Sequence, residues 1–124
     1  MKEPIKLIGN VASPYTRKMV AYLRYKRIPY EVIWGQPEEV LQKMNIEPPK
    51  PILLPVFILD RDGQATAVTD STPLIREFEE KYPDRSVLPK DPALNFINFI
   101  LEDFGDEWCT KFMFHYRWHF DEDA

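Results

Sequence analysis

The segment SPYTRK, Ser13 to Lys18, places the hydroxyl side chains of Ser13 and Thr16 at the spacing of the two thiols in a Cys-x-x-Cys redox site. Ser13 precedes Pro14, which is the pattern of a helix N-cap followed by the first helical residue. A hydroxyl there can donate a hydrogen bond where the helix end carries partial positive charge. Such a site has no sulfur of its own but can lower the pKa of a thiol on a bound molecule. The alternative is that Ser13 only caps the helix.

A second polar group, the segment TDST, stands directly before another helical pattern. Backbone N–H groups and the Ser71 hydroxyl at a helix N-terminus can bind a carboxylate, while Asp70 can accept hydrogen bonds from an ammonium group. Together they can hold a zwitterionic amino-acid end. An ordinary capped helix start predicts the same residue types, so both interpretations remain open.

The C-terminal segment HYRWH puts His115 and His119 on one helical face, a spacing that can ligate a metal. It lacks the acidic residue that follows the first histidine in metalloproteases, and Cys109 is out of phase. We therefore predict no metal and a packing or charge-pairing role for the histidines. Cys109 is the single cysteine, so no intrachain disulfide can form; we predict a small buried residue and a reducing, cytoplasmic location.

Composition limits the partners. The chain has 124 residues and a formal net charge of -4, so it is long enough for one compact core and has no basic footprint for nucleic acid or anionic membrane. The N-terminus lacks the apolar stretch of a signal peptide, and no run approaches the roughly 20 apolar residues of a membrane span.

Several predicted elements position the polar groups, in the order β-α-β-α-β-β-α over about the first 82 residues. The first helix carries an apolar stripe that includes Met19, Tyr22 and Leu23, with its basic residues, among them Lys18 and Lys26, on other faces. The predicted segments are strand 5–10, the helix from Pro14, parallel strand 30–34, a short helix 38–45, antiparallel strands 56–59 and 65–68, and a helix with the stripe Leu74, Ile75, Phe78 and Tyr82.

Beyond a proline-rich linker lies a long helical face rich in aromatic residues and interrupted only by Gly105. A helix this apolar needs a cover, and the chain ends at FDEDA without supplying further helices. We predict that a partner subunit, as in a homodimer, or sequence downstream of Ala124 provides it.

The order of elements, with SPYTRK after the first strand, LLPV before the hairpin and DST opening the third helix, resembles the N-terminal thioredoxin-like domain of the glutathione transferase family. The resemblance implies an α/β fold: a thioredoxin-like βαβ-ββα domain at 1–82, a linker at 83–92, and at 93–124 a long helix as the truncated start of an all-α second domain.

The resemblance also implies site residues. Ser13 would hold the glutathione thiolate as in serine-type transferases, and Pro55 stands where the family has a cis-proline, so that the Val56 backbone can pair with the cysteinyl part of glutathione. Asp70, where the family more often has Glu or Gln, and Ser71 would hold the γ-glutamyl end. Glutathione is then a co-substrate whose thiol attacks an electrophile or a disulfide. The alternative functions are a non-catalytic glutathione-binding or protein-interaction module, and a structural domain that binds nothing small.

Overall fold

A computed structural model of the protein describes residues 3–122. The chain divides into two compact units, Met1–Arg85 and Ser86–Ala124, which we call the α/β unit and the helical unit. The α/β unit contains β1 (Ile5–Gly9), α1 (Pro14–Lys26), β2 (Tyr30–Trp34), α2 (Pro37–Lys43), β3 (Val56–Arg61), β4 (Gln64–Val68) and α3 (Ser71–Lys81). The helical unit contains α4 (Pro92–Asp103), a π-helical turn (Phe104–Trp108) and α5 (Cys109–Trp118).

The four strands form one sheet in the order β2-β1-β3-β4. β1 and β2 are parallel, from the pair Ile5 and Tyr30 onward, because α1 crosses between them. β3 runs antiparallel to β1, and β4 returns from β3 through a tight turn in which the Asp60 carboxylate accepts from Gly63 N–H at 2.8 Å. The predicted thioredoxin-like α/β architecture is confirmed.

The core of the α/β unit lies where α1 and α3 pack together and against the sheet. Phe78 of α3 is fully buried and its ring contacts those of Tyr22, Phe57 and Tyr82. The apolar stripe predicted for α1 is confirmed, since Met19, Tyr22 and Leu23 are all buried. Helical periodicity thus placed the apolar residues of α1 correctly because that helix has a partner surface inside its own unit.

The prediction that Lys26 lies on a different face of α1 from the buried apolar stripe is wrong, since its side chain is fully buried. Its ammonium lies 2.9 Å from the Glu79 carboxylate of α3, as an ion pair whose angle falls outside hydrogen-bond geometry. The Tyr22 hydroxyl donates to the same carboxylate oxygen at 2.8 Å. Burial, reinforced by this hydrogen bond, raises the pKa of Tyr22 well above its usual range. The lysine can be buried because an equally buried carboxylate compensates its charge.

The helical unit differs from the α/β unit in the exposure of its side chains. Asp91 caps α4 by accepting from Leu94 N–H at 2.9 Å, and the predicted long helix continues through the π-helical turn that contains Gly105. Within residues 86–122, no side chain is buried. Cys109 is exposed, so its predicted burial is wrong, because the surface around α5 supplies no cover. Over the described part of the chain, no helix combines the length and apolar character needed to cross a membrane.

Candidate functional site

Three chain segments meet at one edge of the sheet. β1 ends at Gly9 and leads to Ser13, and the register pairs Ile8 of β1 with Val56, the first residue of β3. The register between β3 and β4 pairs Phe57 with Val68, the last residue of β4, after which the chain reaches Asp70 and Ser71. The sheet topology therefore places the ends of β1 and β4 and the start of β3 along one edge, and with them the predicted site residues.

Ser13 is the N-cap of α1, and its hydroxyl oxygen accepts from Thr16 N–H at 3.2 Å. A hydroxyl has one hydrogen to donate besides the lone pairs with which it accepts. Capping therefore occupies the acceptor side of Ser13 and is compatible with donation to a bound thiolate. The side chain is half-buried, at the positive end of a 13-residue helix.

Thr16, the other hydroxyl residue of the motif, has a different structural role from Ser13. Thr16 is buried, and its hydroxyl accepts from Asn10 N–H at 3.3 Å. A Cβ added at Gly9 would lie 2.5 Å from the Thr16 methyl group, so glycine is needed where the end of β1 passes this close to α1. Thr16 thus fixes the approach of strand and helix, whereas Ser13 lies at the helix terminus. Tyr15, between the two hydroxyl residues, is half-buried.

The Leu54–Pro55 peptide bond is cis, as the resemblance implied. The Val56 side chain is fully buried, so only the backbone of this residue is available to a ligand. Val56 pairs with Ile8 on the β1 side, while the ladder to β4 begins one residue later at Phe57. The backbone of Val56 therefore lies at the end of the β3–β4 ladder. This is the same edge of the sheet at which β1 ends and leads to Ser13.

Ser71 is the first residue of α3, and it is buried. Its hydroxyl oxygen accepts from the Lys18 ammonium of α1 at 2.9 Å. The hydrogen bond joins residues 53 positions apart and brings a positive charge to the N-terminal end of α3. An anion at this helix end therefore meets the helix N–H groups, a hydroxyl and a lysine.

Asp70 does not use its carboxylate to cap α3. It occupies the N-cap position, but its side chain makes no capping hydrogen bond and is exposed. Its φ of 81° and ψ of 114° are a conformation that L-residues rarely adopt, at a cost on the order of 1–3 kcal/mol. The simple interpretation of Asp70 as a side-chain cap is therefore wrong. A strained backbone that holds an exposed carboxylate beside Ser71 favours a role outside helix stability.

The remaining candidates are surface residues of the α/β unit or belong to the helical unit. Lys43, the last residue of α2, and Lys50, in the loop that follows, are exposed. The rings of His115 and His119 stack with centroids 4.6 Å apart, and His115 also contacts Tyr116 and Phe120. Across residues 3–122, no group of three or more His, Cys, Asp or Glu side chains is arranged to hold a metal ion.

Sequence reasoning missed the contact between Lys18 and Ser71. The motif places it on α1, where its phase indicates only that it lies off the apolar stripe. Its proximity to Ser71 depends on how α1 and α3 pack, which no local pattern encodes. The single signal in the sequence was that a basic residue follows the Ser-Pro pair within about one helical turn and a half.

Comparison with known proteins gives consistent matches. The sequence profile of the family described as "Glutathione S-transferase, N-terminal domain" matches residues 7–86. Glutathione S-transferase U8 of Arabidopsis thaliana is 30% identical over 96 residues, an alignment that covers 73% of this chain and 40% of that protein. The chain thus spans about two-fifths of the length of this curated relative.

Two solved structures are similar over most of the chain. A glutathione S-transferase of Methylobacterium radiotolerans, solved in complex with glutathione sulfonate, matches with a TM-score of 0.75 and 24% identity, covering 97% of this chain and 55% of that one. A glutathione S-transferase of Ceriporiopsis subvermispora, solved in complex with glutathione, matches with a TM-score of 0.61 and 27% identity, covering 95% and 52%.

Proposed function

The chain belongs to the glutathione S-transferase family, and we propose that its α/β unit binds glutathione and activates the thiol for attack on an electrophile or a disulfide. One observation carries the proposal. The strand register aligns Ser13, Val56 and the start of α3 along the same edge of the sheet. The structures of the two relatives solved with glutathione or its sulfonate support the choice of ligand.

In this proposal Ser13 stabilises the thiolate. A free thiol has a pKa near 8.5, so at neutral pH most of it is protonated. The Ser13 hydroxyl donates to the sulfur while its oxygen still accepts from Thr16 N–H. The N-terminal end of α1 adds positive potential at the same place. Both effects favour the thiolate over the thiol and therefore lower the pKa of the bound glutathione.

The peptide part of glutathione is held by backbone and by α3. The Val56 backbone, which follows cis-Pro55, pairs with the cysteinyl residue in the manner of an added strand. Ser71 and the N–H groups at the start of α3 bind the γ-glutamyl carboxylate. The exposed Asp70 carboxylate accepts from the γ-glutamyl ammonium group. Two opposite charges at one end of the ligand are thus matched by two neighbouring residues.

The reaction is either conjugation or disulfide exchange. In conjugation the sulfur forms a bond to an electrophilic carbon, which either loses a leaving group or gains a proton at a neighbouring atom. In exchange it displaces a thiolate from a disulfide and forms a mixed disulfide. Conjugation needs an enclosed apolar pocket for the second substrate, whereas disulfide exchange can proceed on an exposed thiolate. The second candidate function is a glutathione-binding module without turnover.

The test is a calorimetric titration of glutathione into the wild type, Ser71→Ala and Ser13→Asp, together with the thiol pKa of bound glutathione measured from thiolate absorbance. Asp caps a helix about as well as Ser, but it cannot donate to a thiolate. We expect Ser71→Ala to weaken binding about tenfold, the effect of one charge-assisted hydrogen bond. Ser13→Asp should keep α1 intact and return the thiol pKa toward its free value.

Two results would contradict the proposal. The first is a wild type that binds no glutathione at millimolar concentration, which would leave a transferase fold without the transferase site. The second is an unchanged thiol pKa in Ser13→Asp, which would reduce Ser13 to a helix cap. Turnover with a small electrophile and with a mixed disulfide then separates conjugation, exchange and the binding module.

We propose further that the protein is a cytoplasmic homodimer. The free, exposed thiol of Cys109 suits a reducing compartment. The exposed aromatic residues of the helical unit favour association with a second copy. Light scattering over a range of protein concentrations should show a mass that rises to twice that of one chain, and a constant monomer mass would contradict the dimer. Fractionation of the source cells tests the location.

A further inference from the structure

We propose that the exposed face of α1, together with the edge strand β2, docks an acidic helical segment of another protein. β2 pairs only with β1 and therefore forms one edge of the sheet. We call this region the α1–β2 surface, and it comprises Val11, Arg17, Arg24, Tyr30 and Trp34. The inference is independent of glutathione binding, because none of these residues takes part in the proposed reaction.

Positive charge is concentrated in this part of a chain whose formal net charge is -4. Residues 4–30 include six lysine or arginine residues and no aspartate or glutamate. Arg17 and Arg24 are exposed on α1, whereas Lys26 of the same helix is buried against Glu79. The two exposed arginines therefore give the α1–β2 surface a local positive potential that attracts an anionic partner.

The two arginines are held in position on one helical face. They are seven residues apart, which separates them by about 10.5 Å along the helix axis and about 20° around it. The Arg17 Nε donates to the Val11 carbonyl at 3.0 Å, and the Arg24 Nε donates to the Tyr30 hydroxyl at 2.7 Å. Within residues 3–122, neither guanidinium forms an ion pair with a carboxylate. The terminal nitrogens of each can therefore bind both oxygens of a partner carboxylate.

Trp34 supplies an exposed aromatic anchor beside the arginines. Side chains alternate along β2, so Trp34 lies on the same face of the sheet as Tyr30, whose hydroxyl contacts α1. Trp34 pairs with Gly9 at the ends of the two parallel strands. Because α1 runs back along these strands, this is the end of α1 that carries Arg17. The Trp34 side chain is 57% exposed, and Trp and Arg are enriched among residues that contribute most to protein–protein binding.

An acidic helix fits these features better than a nucleic acid does. Two carboxylates seven residues apart on a helix have the same axial spacing as Arg17 and Arg24. An apolar side chain beside one of those carboxylates can pack on the Trp34 ring. A nucleic acid gains its affinity from many phosphate contacts, and a chain of net charge -4 repels it at long range.

The test measures the fluorescence anisotropy of a labelled helical peptide of about 20 residues, with two glutamates seven positions apart and leucines beside them. A matched peptide has glutamine at both positions. We expect wild type to bind the glutamate peptide about tenfold more tightly or better. Arg17→Gln, Arg24→Gln and Trp34→Ala should each weaken that binding about tenfold. Arg24→Lys, which keeps the charge without the planar fork, should lose less.

Arg76→Gln is the matched control, because Arg76 is an exposed arginine of α3. It should leave both peptide affinities unchanged, and urea unfolding checks that every variant is folded. Equal affinity for the two peptides, no binding of either, or an equal loss in Arg76→Gln and Arg24→Gln would overturn the inference and leave the proposed function standing. Tighter binding of a thymidine oligonucleotide or of phosphatidylserine vesicles than of the glutamate peptide would also overturn it.

Discussion

Both units of this protein contain helices with an apolar face, but these faces are buried in the α/β unit and exposed in the helical unit. In the α/β unit, apolar residues of the helices and strands form a closed core, with Leu7, Met19, Leu23, Phe57 and Phe78 at 0% exposure. In the helical unit, α4 is more apolar than α1 or α3, yet its large side chains are exposed, among them Phe96 at 64% and Phe99 at 51%. Periodicity therefore identifies which face of a helix needs cover and does not say what covers it.

The physical reason is that burial needs a complementary surface. α1 and α3 each have the sheet and each other, so their apolar stripes are removed from water within one unit. α4 and α5 are continuous through the π-helical turn and therefore cannot fold back on one another. Burial of apolar surface stabilises the α/β unit, and the described part of the helical unit lacks this contribution.

The largest expected effect on stability tests the difference in burial between the α/β unit and the helical unit. Phe78→Ala should lower the free energy of unfolding by about 3–5 kcal/mol, because it leaves a cavity among three rings. Phe99→Ala should cost under about 0.5 kcal/mol, because the side chain is half exposed. Urea unfolding at low protein concentration measures both. A large cost for Phe99→Ala would show that the helical unit is covered in solution, and a cost that grows with protein concentration would identify a second copy as the cover.

The buried ion pair gives the next largest effect. Glu79→Leu should destabilise the α/β unit by about 3 kcal/mol, because it leaves the buried Lys26 ammonium without a countercharge. Adding Lys26→Met should recover most of that loss, since an apolar pair of similar volume needs no compensation. Thermal unfolding of the single and double variants measures the difference. A double variant no more stable than Glu79→Leu would contradict the charge explanation.

Asp70→Gly tests whether Asp70 contributes to glutathione binding or to the stability of the fold. Glycine adopts positive φ without strain, so the variant should be more stable by about 1 kcal/mol, and it should bind glutathione more weakly. Asp62→Gly is the matched control, since Asp62 is an exposed acidic residue with φ of 55° in the β3–β4 turn. It should leave glutathione affinity unchanged. Reduced stability of Asp70→Gly would mean that the Asp70 side chain supports the fold.

The smallest expected effect concerns an exposed pair in the α/β unit. Arg61 donates two hydrogen bonds to Glu77, which lowers the pKa of that carboxyl below its ordinary value of 4.5 and raises the pKa of Arg61. A lowered folded-state pKa stabilises the fold above pH 4.5, and the contribution is lost as the pH falls through the folded-state value.

Glu77→Gln should therefore cost about 0.5 kcal/mol at neutral pH, the scale of an exposed ion pair, and nothing in strong acid. Urea unfolding across this pH range, repeated at high salt, measures the difference between variant and wild type. A cost that persists in acid would show that the side-chain amide disturbs packing.

Much of the α/β unit followed from local patterns. Ser13 with Pro14 predicted the start of α1, short apolar, β-branched or aromatic runs predicted the strands, and the turn residues from Asp60 to Gly63 predicted the hairpin. The boundaries of β2 were predicted to the residue, because Pro29 and Gly35 bracket a short β-branched and aromatic run. These features depend on neighbours within a few positions, so the sequence alone carries them.

What only the tertiary structure decided were the contacts between distant residues. Lys18 and Lys26 carry the same charge on the same helix, yet one reaches the Ser71 hydroxyl at the site and the other is buried against Glu79. Their partners lie 53 positions away in both cases, on α3. The sequence by itself determined that α1 and α3 are amphipathic helices flanking a thioredoxin-like sheet. The packing of those helices decided which polar residues contact each other. Helical phase predicts the direction in which a side chain leaves its own helix, but it does not predict which residue of the neighbouring helix lies opposite.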